Sequence, residues 1–375
     1  MKRFNFCLII AAGWICLFSS MPAGSAETQV PLGLPELTYP EANPQTQAKI
    51  ALGDKLFHDQ RFSSTGDVSC ATCHDAGKAF TDAPLKVSEG IHKLTGTRNA
   101  PTIVNSAYFT TFFWDGRSPD LEDQALHPFT NPVEMGLKTH QPILDIVRTD
   151  SQYKKAFKNV FGKNAASITI KDVVQAIASF ERTKISGNSP FDRWRYGGDA
   201  DALTPRQKRG FDVFVNQGRC VSCHVIEETQ ALFTDNRFHN VGVGINDIQM
   251  VVSRLANEFL KAKITMSEVD IRVLTDQRTS ELGRFAVTRK FDDMGSFKTS
   301  TLRNIAATAP YMHDGSLKTL RDVVKHYNNG GVTIKDDPVN DFLSGGIRPL
   351  NLTDRQIDDL TAFLESLTSP EFAVK

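Results

Sequence analysis

The sequence predicts a mainly α-helical protein made of two similar units, and three observations support this fold class. A C-x-x-C-H pattern occurs twice, at residues 70–74 and 220–224. Apolar residues recur at helical spacing near both copies and near the end of the chain, whereas the period-two alternation of strands is scarce. Capping boxes at Thr204 and Thr353 mark the beginnings of two helices.

Residues 1–26 have the pattern of a secretory signal peptide. Lys2 and Arg3 precede an apolar run over residues 6–18, and small residues at 23–26 form a cleavage site. The apolar run is short for a bilayer span, and no later stretch resembles a membrane helix. We therefore expect export to the periplasm without membrane insertion.

The first unit follows the signal. Residues 48–59 carry apolar side chains at helical spacing and lead through a loop into the first motif, and residues 170–184 form a second helix. Glycines and Pro190 cluster within 186–204, which predicts the joint between units. The predicted domains are therefore 27–198 and 199–375.

The second unit opens like the first. A helix begins at Thr204, with Pro205 at its first position, and ends shortly before the second motif. Further helices are predicted over 316–328 and from Thr353 onward. Residues 246–281 are helical and charged in pattern, but the sequence assigns them no role.

The C-x-x-C-H pattern is the attachment site of a c-type haem. Its two thiols form thioethers with one porphyrin, and the histidine binds the iron. A structural zinc site would need further ligand pairs, but the other cysteines, Cys7 and Cys16, lie in the signal. The sequence predicts two cytochrome c-like domains, each with one covalent haem. The predicted haem-binding residues are Cys70, Cys73, His74, Cys220, Cys223 and His224.

The overall charge excludes one class of partner. The chain has 43 Lys and Arg residues and 43 Asp and Glu residues, without a basic cluster. Nucleic-acid binding depends on excess positive charge. We therefore expect no nucleic-acid partner.

Three short motifs resemble those of the bacterial dihaem cytochrome c peroxidase family, which includes the maturation enzyme MauG. They are W-D-G-R at 114–117, N-P-V-E-M-G at 131–136 and P-Y-M-H-D-G at 310–315. Similarity extends over 56–80, 98–103, 113–136, 219–224 and 297–328. The resemblance implies that the first haem, with proximal ligand His74, reacts with hydrogen peroxide. It also implies that His224 is the proximal ligand of a second haem, which transfers electrons.

The same resemblance assigns three residues near the first haem. Glu134 matches the acid that moves a proton during O–O cleavage, and Pro128 matches a proline that shapes the pocket. Trp114 matches an indole that carries electrons between the haems. Without the family motifs, Glu134 reads as a surface charge or an anion at a helix start, and Trp114 as a large core side chain.

A calcium ion between the haems is also implied by the resemblance. Asn99, Thr308 and Pro310 match the positions that supply one amide and two main-chain oxygens. Oxygen ligands suit this hard cation. No pattern in these residues alone would have indicated the site.

Tyr327 is the residue that separates subgroups of the family. Peroxidase members have methionine at this position as distal ligand of the second haem, whereas MauG-like members have tyrosine. A thioether raises the reduction potential, whereas an anionic phenolate favours oxidised iron. Met312 is a competing ligand outside the family position. His326 lies on another face of the helix, and we expect it to meet solvent.

Two positions depart from the family patterns. MauG has a tryptophan two residues before its second haem motif, where this chain has Gly218. Peroxidase members have a loop histidine that blocks the first haem, and His92 lies one residue away from that register. We expect His92 not to bind iron, which leaves the first haem open to peroxide.

Three functions follow from these observations. The first is a MauG-like enzyme that uses hydrogen peroxide to oxidise residues, such as tryptophan, of a partner protein. The second is a cytochrome c peroxidase that takes electrons from a small cytochrome c or cupredoxin. The third is a non-catalytic electron carrier, which Glu134 beside an open haem argues against.

Overall fold

The computed structural model describes residues 30–331 and 342–373, so the predicted signal peptide lies outside the described residues. The mainly helical fold predicted from the sequence is confirmed. Within the described ranges, no helix is long and apolar enough to cross a membrane.

Seven helices belong to the first half of the chain. They are α1 (Gln47–Phe57), α2 (Cys70–Cys73), α3 (Leu121–Gln124), α4 (His127–Thr130), α5 (Gln141–Thr149), α6 (Ser151–Phe161) and α7 (Ile170–Glu181). The other described helices are α8 (Pro190–Arg195), α9 (Pro205–Val215), α10 (Ile245–Ile248), α11 (Val252–Lys261), α12 (Met266–Thr275), α13 (Gln277–Ser280), α14 (Phe285–Thr288), α15 (Leu320–Asn328) and α16 (Asp354–Glu365).

The first hydrophobic core forms where α1 crosses α7. Leu52, Leu56 and Phe57 of α1 pack with Val173 and Ile177 of α7 in one buried cluster. Gly53 lies so close to α7 that a Cβ atom there would be 1.9 Å from the carbonyl oxygen of Ala176. Glycine therefore allows the two helix backbones to meet.

The second core repeats this crossing with α9 and α16. A Cβ atom on Gly210 would lie 2.0 Å from the carbonyl oxygen of Asp359. The predicted capping boxes at Thr204 and Thr353 are present, and each threonine accepts a hydrogen bond from the backbone N–H three residues later.

The segment between the halves is held by a buried ion pair. Arg303 donates to both carboxylate oxygens of Asp192, at 2.8 and 2.9 Å, and to the carbonyl oxygen of Gly33 at 2.6 Å. Phe191, beside Asp192 in α8, packs in the second core. The chain around Gly33, near the start of the described residues, therefore contacts the second half of the molecule. The boundary at 198 remains a prediction.

A third hydrophobic cluster, within residues 245–294, is built from α10, α11, α12 and α14 together with Leu282 and Met294. The segments on either side of it in sequence, β1 (Phe238–His239) and β2 (Phe297–Lys298), pair as a two-stranded antiparallel ribbon, with Phe238 opposite Lys298. The helical character predicted for 246–281 is confirmed. The cluster packs partly on Val133, in the loop that carries Glu134.

Candidate functional site

One continuous cavity of about 840 Å³ contains both C-x-x-C-H motifs. Its lining is mainly apolar, and the four cysteines of the motifs are unpaired. An apolar cavity with a few convergent polar groups is the usual form of a cofactor site.

The first motif is held by a short helix and one side-chain hydrogen bond. Cys70 and Cys73 begin and end α2, and His74 follows directly. His74 Nδ1 donates to the carbonyl oxygen of Phe80 at 3.2 Å. This bond directs the proton to Nδ1 and leaves Nε2 as the atom that can bind a metal. Burial lowers the pKa of His74, which favours the neutral ring that ligation requires.

The second motif repeats this arrangement. His224 Nδ1 donates to the carbonyl oxygen of Phe233 at 2.8 Å, and burial lowers its pKa. Cys220 and Cys223 line the same cavity. Two histidines with oriented Nδ1 atoms, each beside a pair of free thiols, fit two covalently bound haems.

Glu134 lines the cavity at the end of a tight loop after α4. Its backbone N–H donates to the carbonyl oxygen of Asn131 at 3.2 Å. Its Oε2 is buried without a hydrogen-bond partner among the described residues. Burial, reinforced by the negative charge of Asp270 and opposed by Arg117, raises the pKa of Glu134 to about 8. The carboxyl is therefore suited to exchange a proton near neutral pH.

Trp114 lies between segments from the two halves. Its indole Nε1 donates to the carbonyl oxygen of Asn99 at 2.8 Å, and its own carbonyl accepts from the backbone N–H of Lys298 at 2.8 Å. The indole lines the cavity with residues of both motifs. The structure thus brings Trp114 into the same site as the predicted haem ligands.

Tyr327 lines the cavity beside the second motif. Burial raises its pKa, and nearby Cys220 and Cys223 raise it further if they ionise. A buried phenol keeps its proton in the protein alone and loses it most readily to a bound cation. Met312, the competing ligand, lines the cavity as well.

An internal repeat relates Tyr327 to Pro128. Thr102 donates to the carbonyl oxygen of Ala79, and Thr301 to that of Leu232. Equally spaced pairs follow: isolated β-bridges join Phe112 to Ser118 and Tyr311 to Leu317, and Gly116 and Gly315 have φ angles of 67° and 63°. Pro128 and Tyr327 have the same separation along the chain as Thr102 and Thr301, so Pro128 of the first half corresponds to Tyr327 of the second. Proline has no side-chain atom that can bind a metal, so the repeat distinguishes the two sites.

The residues assigned to calcium also lie in the cavity wall. Asn99, Thr308 and Pro310 all line it. Asn99 Nδ2 donates to the carbonyl oxygens of Leu85 and Lys86 at 3.3 and 3.2 Å, which fixes the side chain. All three line the same large cavity, and the calcium site stays a prediction.

His92 lies on an exposed turn, and the described residues that line the cavity do not include it. Its loop is attached to the Glu134 loop, because Ile91 N–H donates to the carbonyl oxygen of Glu134 at 2.9 Å. Gly218 is buried beside Cys220, and its backbone N–H donates to the carbonyl oxygen of Val213 at 2.7 Å.

One prediction about the Tyr327 helix was wrong. His326 is 3% exposed and does not meet solvent. Its Nε2 donates to the carbonyl oxygen of Val241 at 2.8 Å, and its ring contacts that of Tyr327 edge-on. The segment around Val241 covers this helix face, and a helical period from one sequence does not reveal such a cover.

Several cavity residues were missed from the sequence. Gln124 lies one helical turn before Pro128, and that spacing could have indicated it. Arg117 was named only within a motif. No local pattern marked its hydrogen-bond partner Asp270, which approaches from α12. His313 donates from Nε2 to Glu281 at 2.8 Å, another contact from the third cluster.

Comparisons with known proteins show what the whole chain is similar to. A family profile for di-haem cytochrome c peroxidases matches residues 47–201. The methylamine utilization protein MauG of Methylorubrum extorquens is 34% identical, covering 90% of this chain and 82% of that protein. The cytochrome-c peroxidase IdrP1 of Denitromonas iodatirespirans is 33% identical, covering 97% and 93%. A crystal structure of a MauG-like protein associated with microbial copper homeostasis superposes with a TM-score of 0.73 and 31% identity, covering 92% of this chain and 98% of that one.

Proposed function

The chain belongs to the di-haem cytochrome c peroxidase family, and from this premise we propose that it is a MauG-like enzyme that oxidises residues of a partner protein. The family consists of di-haem peroxidase and MauG oxidoreductases, so the chain is an oxidoreductase that carries two haems. The partner's oxidised residue is an electron-rich side chain, such as tryptophan.

Tyr327 is the observation that carries this proposal. Its phenol lies beside Cys220 and Cys223 in the position that the repeat assigns to Pro128 in the first half. Anionic oxygen stabilises oxidised iron, whereas a thioether favours the reduced form. A site with Tyr327 as ligand therefore retains oxidising equivalents until a partner protein supplies electrons.

Glu134 is the proton-transfer residue of the first site. Its unpartnered Oε2 accepts a proton from one oxygen of hydrogen peroxide and returns it to the oxygen that leaves as water. Pro128 keeps the space beside Glu134 free of a competing ligand. The bound haems supply the electrons that reduce peroxide, and Trp114 connects the two sites.

The remaining assignments follow the same family pattern. The peroxide-reacting haem belongs to residues 27–198, with His74 as ligand, and the second haem to 199–375, with His224 and Tyr327. A calcium ion held by Asn99, Thr308 and Pro310 stabilises the region between them. Export of the mature protein places this chemistry in the periplasm.

A cytochrome c peroxidase is the second candidate. It is favoured by relatives of that name, including IdrP1, and by the attachment of the His92 loop to Glu134. In that function a small cytochrome or cupredoxin supplies the electrons. A pure electron carrier is disfavoured, because electron transfer alone does not require a proton-exchanging acid such as Glu134, buried without a partner for its Oε2, beside the haem.

Hydrogen peroxide added to the ferric, haem-loaded protein tests the proposal. We expect an altered haem absorption spectrum that decays slowly and needs two electrons to return to its starting form. Tyr327→Met should abolish the long-lived spectrum. Rapid turnover with a reduced small cytochrome, with no persistent spectrum in the wild type, would instead establish the peroxidase. No spectral response to peroxide, together with no turnover of a reduced small cytochrome, would establish the carrier.

A further inference from the structure

The third cluster comes from an insertion in the second half of the internal repeat. The tripeptide Phe-Thr-Asp follows both haem motifs, at 80–82 and 233–235. From there the first half reaches Thr102 directly, whereas the second half adds α10 to α14 before the equivalent Thr301. This insertion is the charged helical segment that the sequence left without a role.

Helix α12 of the insertion places one acid against the peroxide side of the first site. Asp270 is 3% exposed and accepts from Arg117 Nε at 2.8 Å and from Asn131 Nδ2 at 3.1 Å. His127 Nδ1 lies 3.6 Å from the same carboxylate. Asp270 therefore joins three residues of the first half that surround the Glu134 loop.

Asn131 is the structural centre of that loop. Its side-chain oxygen accepts from the N–H of Val133 at 3.1 Å, and its carbonyl accepts from the N–H groups of Glu134 and Gly136 at 3.2 and 2.9 Å. Asn131 is fully buried. Because Asp270 accepts from its amide nitrogen, the orientation of Asn131, and with it the loop, depends on the insertion.

Arg117 is fixed by acids on two sides. It donates to Asp115 at 3.0 Å and to Asp270, and its guanidinium lies 3.5 Å from the ring centre of Phe113. Arg98 pairs with the same Asp115 at 2.7 Å. Burial opposes ionisation of Asp115, but the two arginines lower its pKa to about 2. The single charge of Asp115 is thus shared between two arginines, and Asp270 supplies the second negative charge at Arg117.

We propose that Asp270 is a positioning residue for the peroxide reaction, which holds the Glu134 loop through Asn131 and neutralises Arg117 so that Glu134 can carry a proton. This inference rests on the proposed role of Glu134. It gives the insertion a function, because Asp270 of the second half controls the position and charge state of Glu134 in the first half.

The charges around Glu134 determine the direction of the effect. Arg117 faces it from the loop after Trp114, and Asp270 faces it from α12. His127 of α4 lies beyond Asp270, and Cys73 of α2 becomes a neutral thioether in the haem-loaded protein. Removing the charge of Asp270 takes away a negative charge that repels ionised Glu134, and it leaves the positive charge of Arg117 less neutralised. Both effects favour ionised Glu134 and lower its pKa.

Infrared titration of the haem-loaded protein tests this inference independently of activity. The band of the protonated Glu134 carboxyl is identified by its absence in Glu134→Gln and is followed as the pH is raised. We expect a wild-type midpoint near 8 and a midpoint lower by about one pH unit in Asp270→Asn. The matched control is Asp292→Asn, an exposed acid of the same insertion, which should leave the midpoint unchanged.

Asp270→Glu separates charge from position. It keeps the negative charge but displaces Asn131, so the midpoint should stay at the wild-type value while peroxide reacts about tenfold more slowly. An Asp270→Asn midpoint equal to that of the wild type, or a normal rate in Asp270→Glu, would overturn the inference. A wild-type protein that titrates normally yet ignores peroxide would instead refute the proposed function alone.

Discussion

Two buried carboxyl groups, Glu134 and Glu181, line the cavity, and burial raises the pKa of each to about 8. Their neighbours differ. Glu134 faces Arg117 and Asp270, whereas Glu181, at the end of α7, adjoins the ion pair between Arg182 and Glu122. An acid of this pKa gains or loses a proton near neutral pH at small cost. Position in the pocket, rather than acidity, therefore decides which of them serves the reaction.

Glu134→Gln should slow the reaction with peroxide by about 100-fold, because the amide occupies the same space without exchanging the proton. Rapid-mixing absorption measures this rate, and the resting haem spectrum should not change. Glu181→Gln is the matched control and should react at least about tenfold faster than Glu134→Gln. Equal rates in the two variants would remove Glu134 from its assigned role.

The reaction with peroxide should accelerate as the pH rises through about 8. Glu134 must be ionised to accept a proton, and its raised pKa keeps it protonated below that value. A rate–pH profile of the ferric protein measures the inflection. Glu134→Gln should lack this inflection, and a flat wild-type profile would contradict the prediction.

At the scale of elements, both halves depend on a glycine at a helix crossing. Gly53 and Gly210 allow α1 to meet α7 and α9 to meet α16 at backbone contact. The sequence predicted these four helices correctly from apolar spacing and capping boxes. It did not predict which helices cross, because a helical period defines a face but not its partner.

Gly53→Ala should destabilise the first half by about 1–3 kcal/mol, since the added Cβ would collide with the carbonyl of Ala176. The gain in helix propensity, about 1 kcal/mol, opposes this effect. Thermal unfolding of the haem-loaded protein measures the net change. Ala51→Ser, on the exposed face of the same helix, should change the midpoint little, and an unchanged midpoint in Gly53→Ala would contradict the close crossing.

At the scale of the whole molecule, contiguous motifs could be predicted and remote contacts could not. Each haem motif combines its thiols and imidazole within five residues, so the cavity residues around His74 and His224 were predictable. Asp270 lies 153 residues from Arg117 along the chain, and no local pattern joins them. The burial of His326 was mispredicted for the same reason, since its cover comes from Val241.

Trp114→Phe should leave the first site reactive but delay the response of the second haem by about tenfold, equivalent to about 1.4 kcal/mol of barrier. The substitution removes the indole and its hydrogen bond to Asn99, but it keeps the main-chain hydrogen bond from Lys298 that joins Trp114 to the second half. Rapid-mixing spectra that resolve the two haems measure the delay. Trp194→Phe serves as the control outside the cavity lining, and simultaneous responses in Trp114→Phe would exclude an indole route.

MauG-like chemistry in this protein depends on the atom that Tyr327 presents to the second haem. Its most direct test is a crystal structure of the ferric, haem-loaded protein. We predict that Tyr327 Oη lies within bonding distance of the second iron, opposite His224 Nε2. The sulfur of Met312 or an imidazole nitrogen at that coordination position would contradict the account and favour a cytochrome c peroxidase.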